Sequence, residues 1–123
     1  MKKRMLAVLV LFFFCLSTKA KYIQTCKVKY KNNYTWSDYY QVEVTFISGS
    51  ELNKAVKSYE YESYSTYAVI FWDKDQVSII KISTYTGCGS EVTQSCIANK
   101  VINLEGEDKK GRSWEICTKN LCY

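Results

Sequence analysis

The sequence lacks histidine and proline entirely and has only five glycines among its 123 residues. Histidine is the commonest general base and the commonest metal ligand, so its absence disfavours most hydrolytic and metal-dependent chemistry. The chain also has no Cys-x-x-Cys pair and no other motif with a stated catalytic mechanism. We therefore expect a protein that is not an enzyme and that carries no cofactor.

Long hydrophobic runs are scarce as well, and the one that is present lies near the start. Residues 5–16 are apolar and follow three basic residues at positions 2–4. Thr18 and Ala20 then provide small side chains at the positions that signal peptidase reads. This pattern predicts a secretory signal peptide over residues 1–20. The run is shorter than the roughly 17 to 25 residues that span a bilayer, so we expect no membrane anchor, with a retained anchor as the alternative.

The basic balance of the whole chain, +5, belongs mostly to this leader. The leader holds four of the 17 lysines and arginines and none of the 12 acidic residues, so its removal leaves a net charge of +1. A field this weak does not attract nucleic acid, and no nucleic-acid partner is expected. Residues 21–123 have the size of one domain, which we interpret as a single secreted or periplasmic β domain.

Five cysteines follow the leader: Cys26, Cys88, Cys96, Cys117 and Cys122. An exported chain meets oxidising conditions, so two disulfides and one unpaired thiol are expected. Cys88 is predicted to pair with Cys96, because the polar segment between them has the character of a loop whose ends can meet. The second bridge is predicted to join Cys26 to Cys117 or Cys122, which would tie the first strand to the last.

Alternating or apolar segments predict about six strands, near residues 21–31, 38–47, 67–72, 77–83, 100–105 and 112–118. The clearest alternation runs through Tyr40, Val42, Val44 and Phe46, which share one parity and should face the core.

Two further segments do not follow this alternating pattern. Residues 67–72 are almost entirely apolar, as expected of a strand that is covered on both faces. Ser50 precedes Leu52, Ala55 and Val56, a cap residue followed by helical spacing, which predicts about two turns of helix.

The fold class predicted from these elements is mainly β. We expect a small antiparallel sheet, a partly closed barrel or a sandwich, with about six strands, one short helix and disulfide staples. The helix should plug one end of this sheet or cover one face.

Aromatic residues are abundant, with 11 tyrosines and three tryptophans. In a β domain most such rings fill the core, which accounts for Tyr40, Phe46, Phe71 and Trp114. The rings in polar segments, which we expect to face solvent, are different, because tyrosine and tryptophan there offer an apolar face with a polar edge. The candidate binding residues are Tyr34, Trp36, Tyr39, Tyr59, Tyr61 and Tyr64.

Carboxylates cluster twice, at Asp73 with Asp75 and at Glu105 with Glu107 and Asp108. A weak calcium site is one interpretation of either cluster. The regular ligand spacing of a dedicated calcium loop is missing, so we favour solvated turns and expect no metal site.

The function predicted from the sequence is that of a non-catalytic binding domain, secreted or periplasmic. A protein partner, contacted through the exposed tyrosines and tryptophan, is the first hypothesis. A carbohydrate-binding module that uses the same rings is the alternative, and a small enzyme or an enzyme inhibitor ranks below both.

Overall fold

The computed structural model describes residues 21–73, 75–98, 103–118 and Cys122. The predicted signal peptide, residues 1–20, lies outside the described residues and stays a prediction. The elements are β1 (Lys21–Asn32), β2 (Thr35–Trp36), β3 (Tyr40–Ser48), α1 (Gly49–Val56), β4 (Thr66–Trp72), β5 (Gln76–Ile82), α2 (Gln94–Ala98), β6 (Leu104–Asp108) and β7 (Ser113–Cys117). Among the described residues no helix has the length and apolar character needed to cross a membrane.

Six of the strands form a closed antiparallel barrel, and β2 adds a short hairpin to β1. The strand order is β2-β1-β3-β4-β5-β6-β7, and β1 also pairs with β7. Closure uses the length of β1, which pairs with β3 over residues 21–28 and with β7 over residues 27–30. The mainly β fold of about six strands is therefore confirmed, and the partial closure considered from the sequence is complete in the structure.

The parity predicted for β3 is confirmed inside this barrel. Val44 and Phe46 are fully buried in the barrel core, and Val42 packs against it. Tyr40 begins the same row but lies at the end of the barrel, where it is 42% exposed. Its assignment to the core was wrong, because a row of inward-facing residues reaches solvent where the strand leaves the barrel.

Strand β4 is covered on both faces, as its unbroken apolar sequence predicts. Ala68 and Ile70 face the barrel core, while Tyr67 and Val69 face outward into a second apolar cluster. Leu52 and other residues of α1 complete that outer cluster. The helix therefore covers one face of the sheet, which is one of the two positions expected for it.

Helix α1 begins two residues earlier than its sequence pattern suggests. Ser48, not Ser50, is the N-cap: its backbone is extended and its hydroxyl accepts the N–H of Glu51 at 3.2 Å. The helix ends where Lys57 takes a left-handed conformation, with φ of 54°. Strand β3 thus passes directly into the helix.

The cysteine loop closes one end of the barrel. Cys88, Val92 and Ile97 belong to the barrel core although they come from the loop and from α2. The predicted disulfide between Cys88 and Cys96 is present, with Cα atoms 5.4 Å apart. This bridge holds the apolar residues of the loop against the core, so the loop acts as the plug of that end.

The second predicted bridge, from Cys26 to Cys117 or Cys122, was wrong. Cys117 pairs with Cys122, and Cys26 is a buried free thiol. The register explains this result, because Cys117 lies opposite Lys27. Side chains of directly opposed residues share a face, and the side chain of Cys26, one residue earlier, points to the other face, into the barrel core.

Strand β6 also lies later than predicted, at Leu104–Asp108 instead of 100–105. Residues 99–102 fall outside the described residues. Gly106 comes just after the predicted strand 100–105 but lies within the observed one, where a Cβ would come 2.6 Å from Ile80 Cγ2 and 2.6 Å from the Lys81 carbonyl oxygen. This glycine therefore permits the close approach of β5 to β6, and the turn that follows is shorter than expected.

Candidate functional site

Three of the aromatic residues predicted to bind a partner lie on or just after the β1–β2 hairpin. Tyr34 occupies the hairpin turn and is 94% exposed. The Nζ atom of Lys29 lies 5.0 Å from the ring centroid of Trp36 and 4.9 Å from that of Tyr39. Lys29 also pairs with Glu115 of β7, at 3.5 Å. We call Tyr34, Trp36 and Tyr39 the hairpin group, which lies on the outer face of the barrel.

The other three predicted binding residues, Tyr59, Tyr61 and Tyr64, differ in their exposure to solvent. Tyr59 and Tyr64 are exposed, as expected, but Tyr61 is buried. Its ring packs edge-on against Tyr67 at 5.2 Å, and the Asn53 side chain bonds both its backbone N–H and its carbonyl. The expected exposure of Tyr61 was wrong, because the helix α1 cluster takes up its ring.

The structure does not gather these six residues into one surface. Trp36 and Tyr39 meet over Lys29, whereas Tyr61 lies beside Lys109 in the turn between β6 and β7, with Lys109 Nζ 5.1 Å from its ring centroid. No ring contact in the described part of the chain involves Tyr59. Their role in binding stays a prediction.

A different aromatic cluster occupies the barrel end opposite the plug. Tyr30, Tyr40, Trp72 and Trp114 come from β1, β3, β4 and β7, and we call them the aromatic mouth. The rings of Tyr30 and Tyr40 are nearly parallel, at 8°, with centroids 6.3 Å apart. Trp114 lies 5.2 Å from Tyr30 and 6.3 Å from Trp72, and Trp72 meets Tyr40 edge-on at 5.8 Å. The four rings form a closed circuit around the barrel end.

An open cavity of about 520 Å³ lies at this mouth. Its volume falls within the roughly 300 to 1,000 Å³ typical of small-ligand pockets. Its lining consists of the four rings together with Gln76, Val77, Ser78, Lys110 and Arg112. The lining combines aromatic faces with hydrogen-bonding and cationic groups, and none of the described residues in it is a carboxylate.

Asp108 lies beneath the aromatic mouth and accepts hydrogen bonds from Trp114 and Arg112. Its Oδ2 accepts the Trp114 indole N–H at 2.8 Å and the Arg112 Nε–H at 2.9 Å. Its Oδ1 accepts the backbone N–H groups of Lys110 and Arg112, at 2.9 and 3.0 Å. Burial alone would raise the pKa of Asp108, but the hydrogen bonds from Trp114 and Arg112 outweigh it and lower the pKa. The carboxylate is therefore ionised, and its four hydrogen bonds hold the neighbouring side chains and the turn backbone in place.

The other mouth rings are also fixed in place. The indole N–H of Trp72 donates to Ser78 Oγ at 2.8 Å. The neighbouring Tyr30 phenol, with a contribution from burial, raises the pKa of Tyr40. The Tyr40 hydroxyl therefore stays protonated at neutral pH and remains a hydrogen-bond donor. The mouth is a preorganised surface in which the polar ends of the indole rings already have partners.

Arg112 lies against two rings of the aromatic mouth. Its guanidinium carbon is 5.2 Å from the Tyr30 centroid and 5.8 Å from the Trp114 centroid, distances typical of cation–π contacts. Asp108 engages only its Nε–H and its backbone N–H. Among the described residues, no hydrogen bond takes the two terminal amino groups of Arg112, which belong to a side chain that lines the cavity.

A second cavity, of about 610 Å³, lies beside the segment that contains Tyr61. Ion pairs occupy its walls: Lys81 pairs with Glu62 at 2.8 Å, and Lys109 pairs with Glu60. Both lysines of its lining are therefore already paired with glutamates. The aromatic mouth is the better candidate site, because its groups are fixed but face the cavity.

The carboxylate clusters do not converge. Asp108 points inward beneath the mouth, whereas Glu105 and Glu107, which alternate with Gly106 and Asp108 along β6, are exposed on the outer face. Within residues 21–73, 75–98, 103–118 and Cys122, no group of three or more cysteine, aspartate or glutamate side chains is arranged to hold a metal ion.

Sequence reasoning missed the mouth although a signal for it was present. Tyr40 and Gln76 each begin a strand, Trp72 ends one, and Tyr30 and Trp114 lie within two residues of a strand end. In an antiparallel barrel, alternate turns meet at one end. Aromatic residues beside alternate turns therefore predict a common cluster.

Neither a protein-family model, nor a curated protein, nor a solved structure matches this chain.

Proposed function

We propose that this chain is a non-catalytic, exported binding domain and that its aromatic mouth takes up a sugar ring. The observation that carries the proposal is the 520 Å³ cavity bounded by four fixed aromatic rings. A carbohydrate offers an apolar ring face and a polar edge, and tyrosine and tryptophan offer the matching combination.

The polarity of the lining favours a sugar over a purely apolar ligand. Tyr40, at 42% exposure, presents the most accessible ring surface of the mouth. Gln76, Lys110 and Arg112 add polar groups around that ring. A ligand that stacks on Tyr40 therefore meets hydrogen-bonding partners at its edge, which is how ligand pockets fix orientation.

The same geometry supports a non-catalytic role. Asp108 is an acidic residue in direct contact with a mouth ring, and both of its oxygens already accept hydrogen bonds from Trp114, Arg112 and the turn backbone. General acid or base work needs a group that reaches the substrate. A carboxylate with four donors and a lowered pKa is suited to positioning the site.

Export is part of the proposal and is supported by the disulfides. Cys88–Cys96 and Cys117–Cys122 are both at bonding distance. Such bridges persist in oxidising compartments, which agrees with the signal peptide predicted over residues 1–20.

A protein partner is a second candidate, and one observation favours it. Tyr34 is 94% exposed and Trp36 is 39% exposed, although both are aromatic. Aromatic residues of this kind dominate the energetics of many protein interfaces. The hairpin group, on the outer face of the barrel, is the surface that such a partner would contact.

A glycan array tests the mouth directly. The wild-type protein should bind a subset of glycans saturably, and Tyr40→Ala should weaken this binding by about twofold to tenfold, since an aromatic contact is worth roughly 0.5 to 1.5 kcal/mol. Tyr59→Ala is the matched control, because it removes the same ring from a fully exposed position outside the cavity. Equal binding by both variants, or no glycan bound by the wild type, would refute the proposal.

The protein candidate has its own test. Tyr34→Ala combined with Trp36→Ala should abolish capture of a partner that the wild type retains, while Tyr40→Ala leaves that capture intact. The reverse pattern would place protein binding at the mouth.

A further inference from the structure

The charge of the mouth points beyond a neutral sugar. Among the described residues, two cationic side chains, Lys110 and Arg112, line the cavity, and no carboxylate does. Asp73 and Asp75 follow Trp72 in the β4–β5 turn, yet neither lines the cavity. A bound ligand would therefore be surrounded by aromatic faces and positive charge.

Arg112 is held in the orientation that suits a carboxylate. Its Nε–H donates to Asp108, and its guanidinium carbon lies within cation–π distance of the Tyr30 and Trp114 rings. The planar fork of arginine matches a carboxylate through two parallel hydrogen bonds. Because the fork is already fixed by Asp108 and by the rings, little side-chain entropy is lost when a ligand binds.

Lys110 lines the cavity with a positive charge that Asp108 does not neutralise, because Asp108 pairs with Arg112. Asp108 and Arg112 form an ion pair at 2.9 Å, so together they contribute no net charge. Lys110 is exposed, and no carboxylate among the described residues pairs with it, whereas its neighbour Lys109 pairs with Glu60. The described side chains that line the cavity, taken together with Asp108, therefore carry one positive charge in excess, on Lys110. Asp38, whose charge acts on Tyr40, does not line the cavity.

We propose that the ligand of the aromatic mouth is an acidic saccharide of the uronic-acid type, stacked on Tyr40 and bound through its carboxylate by Arg112 and Lys110. This inference rests on the proposed carbohydrate function. A planar carboxylate on a sugar ring uses both features of the cavity, the aromatic face and the arginine fork. A nucleic acid chain is a poorer fit, since binding of its backbone needs a row of several cations, and the described residues that line the cavity provide two.

The experiment compares trigalacturonic acid with its methyl ester, a matched ligand that lacks only the charge. Titrations of the exported protein, followed by calorimetry and by the fluorescence of Trp72 and Trp114, should give about tenfold tighter binding of the acid than of the ester, as expected for one charge-assisted hydrogen-bonded pair. Binding of the acid should weaken as salt is raised, while binding of the ester should not.

Three variants assign the carboxylate contact. Lys110→Ala should reduce affinity for the acid several-fold and leave the ester unaffected, whereas the matched control Lys109→Ala should change neither. Arg112→Lys keeps the charge but removes the fork, so it should lose most of the preference for the acid. Thermal unfolding of each variant separates loss of the fold from loss of the contact, and Lys110→Ala keeps the test valid if Arg112→Lys unfolds.

The outcomes distinguish a failure of the acidic-saccharide inference from a failure of the proposed carbohydrate function. Equal affinity for the acid and the ester, both lost in Tyr40→Ala, would overturn the acidic-saccharide inference and leave the carbohydrate function standing. Binding of neither ligand, together with a blank glycan array, would overturn both. Tighter binding of a single-stranded oligonucleotide than of the acid would also overturn this inference.

Discussion

The carboxylate of Asp108 accepts the indole N–H of Trp114 at 2.8 Å across the turn between β6 and β7. The same carboxylate binds the Arg112 side chain and two backbone N–H groups of the turn. One buried anion therefore sets the position of a mouth ring, the position of the arginine fork and the conformation of the turn. Asp108 is a positioning residue for the mouth.

Asp108→Asn should destabilise the protein by about 2 kcal/mol at pH 7. The amide keeps the shape of the side chain but loses the charge that strengthens its hydrogen bonds, and its NH₂ group faces donors instead of accepting from them. Urea unfolding gives the free energy. Glu105→Gln, the same change at an exposed position of β6, should stay within about 0.5 kcal/mol of the wild type. Similar losses in both variants would contradict this role of Asp108.

The stability difference between the wild type and Asp108→Asn should depend on pH. The pKa of Asp108 is lowered in the folded protein, so its ionised form contributes stability that is fully present above the unfolded pKa of about 3.9. That contribution is lost as the pH falls through the folded pKa. The difference measured by urea unfolding should therefore be constant from about pH 7 to pH 5 and should shrink below about pH 4. A difference that stays constant to pH 2 would show that the charge is not what stabilises.

Strand content and the facing of side chains could be predicted from the sequence because both depend on local alternation. Val44 and Phe46 face the core because every second residue of a strand points the same way. Residues 67–72 are apolar throughout because helix α1 covers the face of β4 that the barrel does not. The loop between Cys88 and Cys96 is short and polar, so the bridge between its ends needed no knowledge of the rest of the fold.

Relationships between distant strands could not be predicted in the same way. Cys117 pairs in register with Lys27 and not with Cys26, and a shift of one residue in register moves a side chain to the other face. Gly106 resembles a turn residue in the sequence, although the approach of Ile80 is what requires it. The aromatic mouth combines four strands, so it depends on every register around the barrel.

Cys26 should resist thiol reagents in the folded protein. Burial raises the pKa of its thiol to about 12, so very little reactive thiolate forms at pH 8. Labelling of the exported protein should modify no cysteine under native conditions and one cysteine in urea. A non-reducing peptide map should join Cys88 to Cys96 and Cys117 to Cys122. A bridge that contains Cys26 would contradict the register of β1 with β7.

The two disulfides should differ in their effect on stability although their loops are similar in length. Chain entropy predicts losses of about 2.5 kcal/mol for removing the Cys88–Cys96 bridge and about 2 kcal/mol for removing the Cys117–Cys122 bridge. The first loop also carries Val92 and Ile97, which are fully buried in the barrel core. Loosening that loop weakens the plug, so replacing Cys88 and Cys96 by alanine should cost at least about 1 kcal/mol more than replacing Cys117 and Cys122.

Amide hydrogen exchange shows which part of the barrel accounts for the difference in stability between the two double variants. Without the Cys88–Cys96 bridge, amides of residues 83–98 should exchange faster, while those of the mouth turn at residues 108–112 should keep their protection. The mouth lies at the opposite end of the barrel and is held by Asp108, not by the plug. Equal losses of stability in the two double variants, or faster exchange spread evenly over both ends, would show that the loop residues are not a plug with a separate contribution.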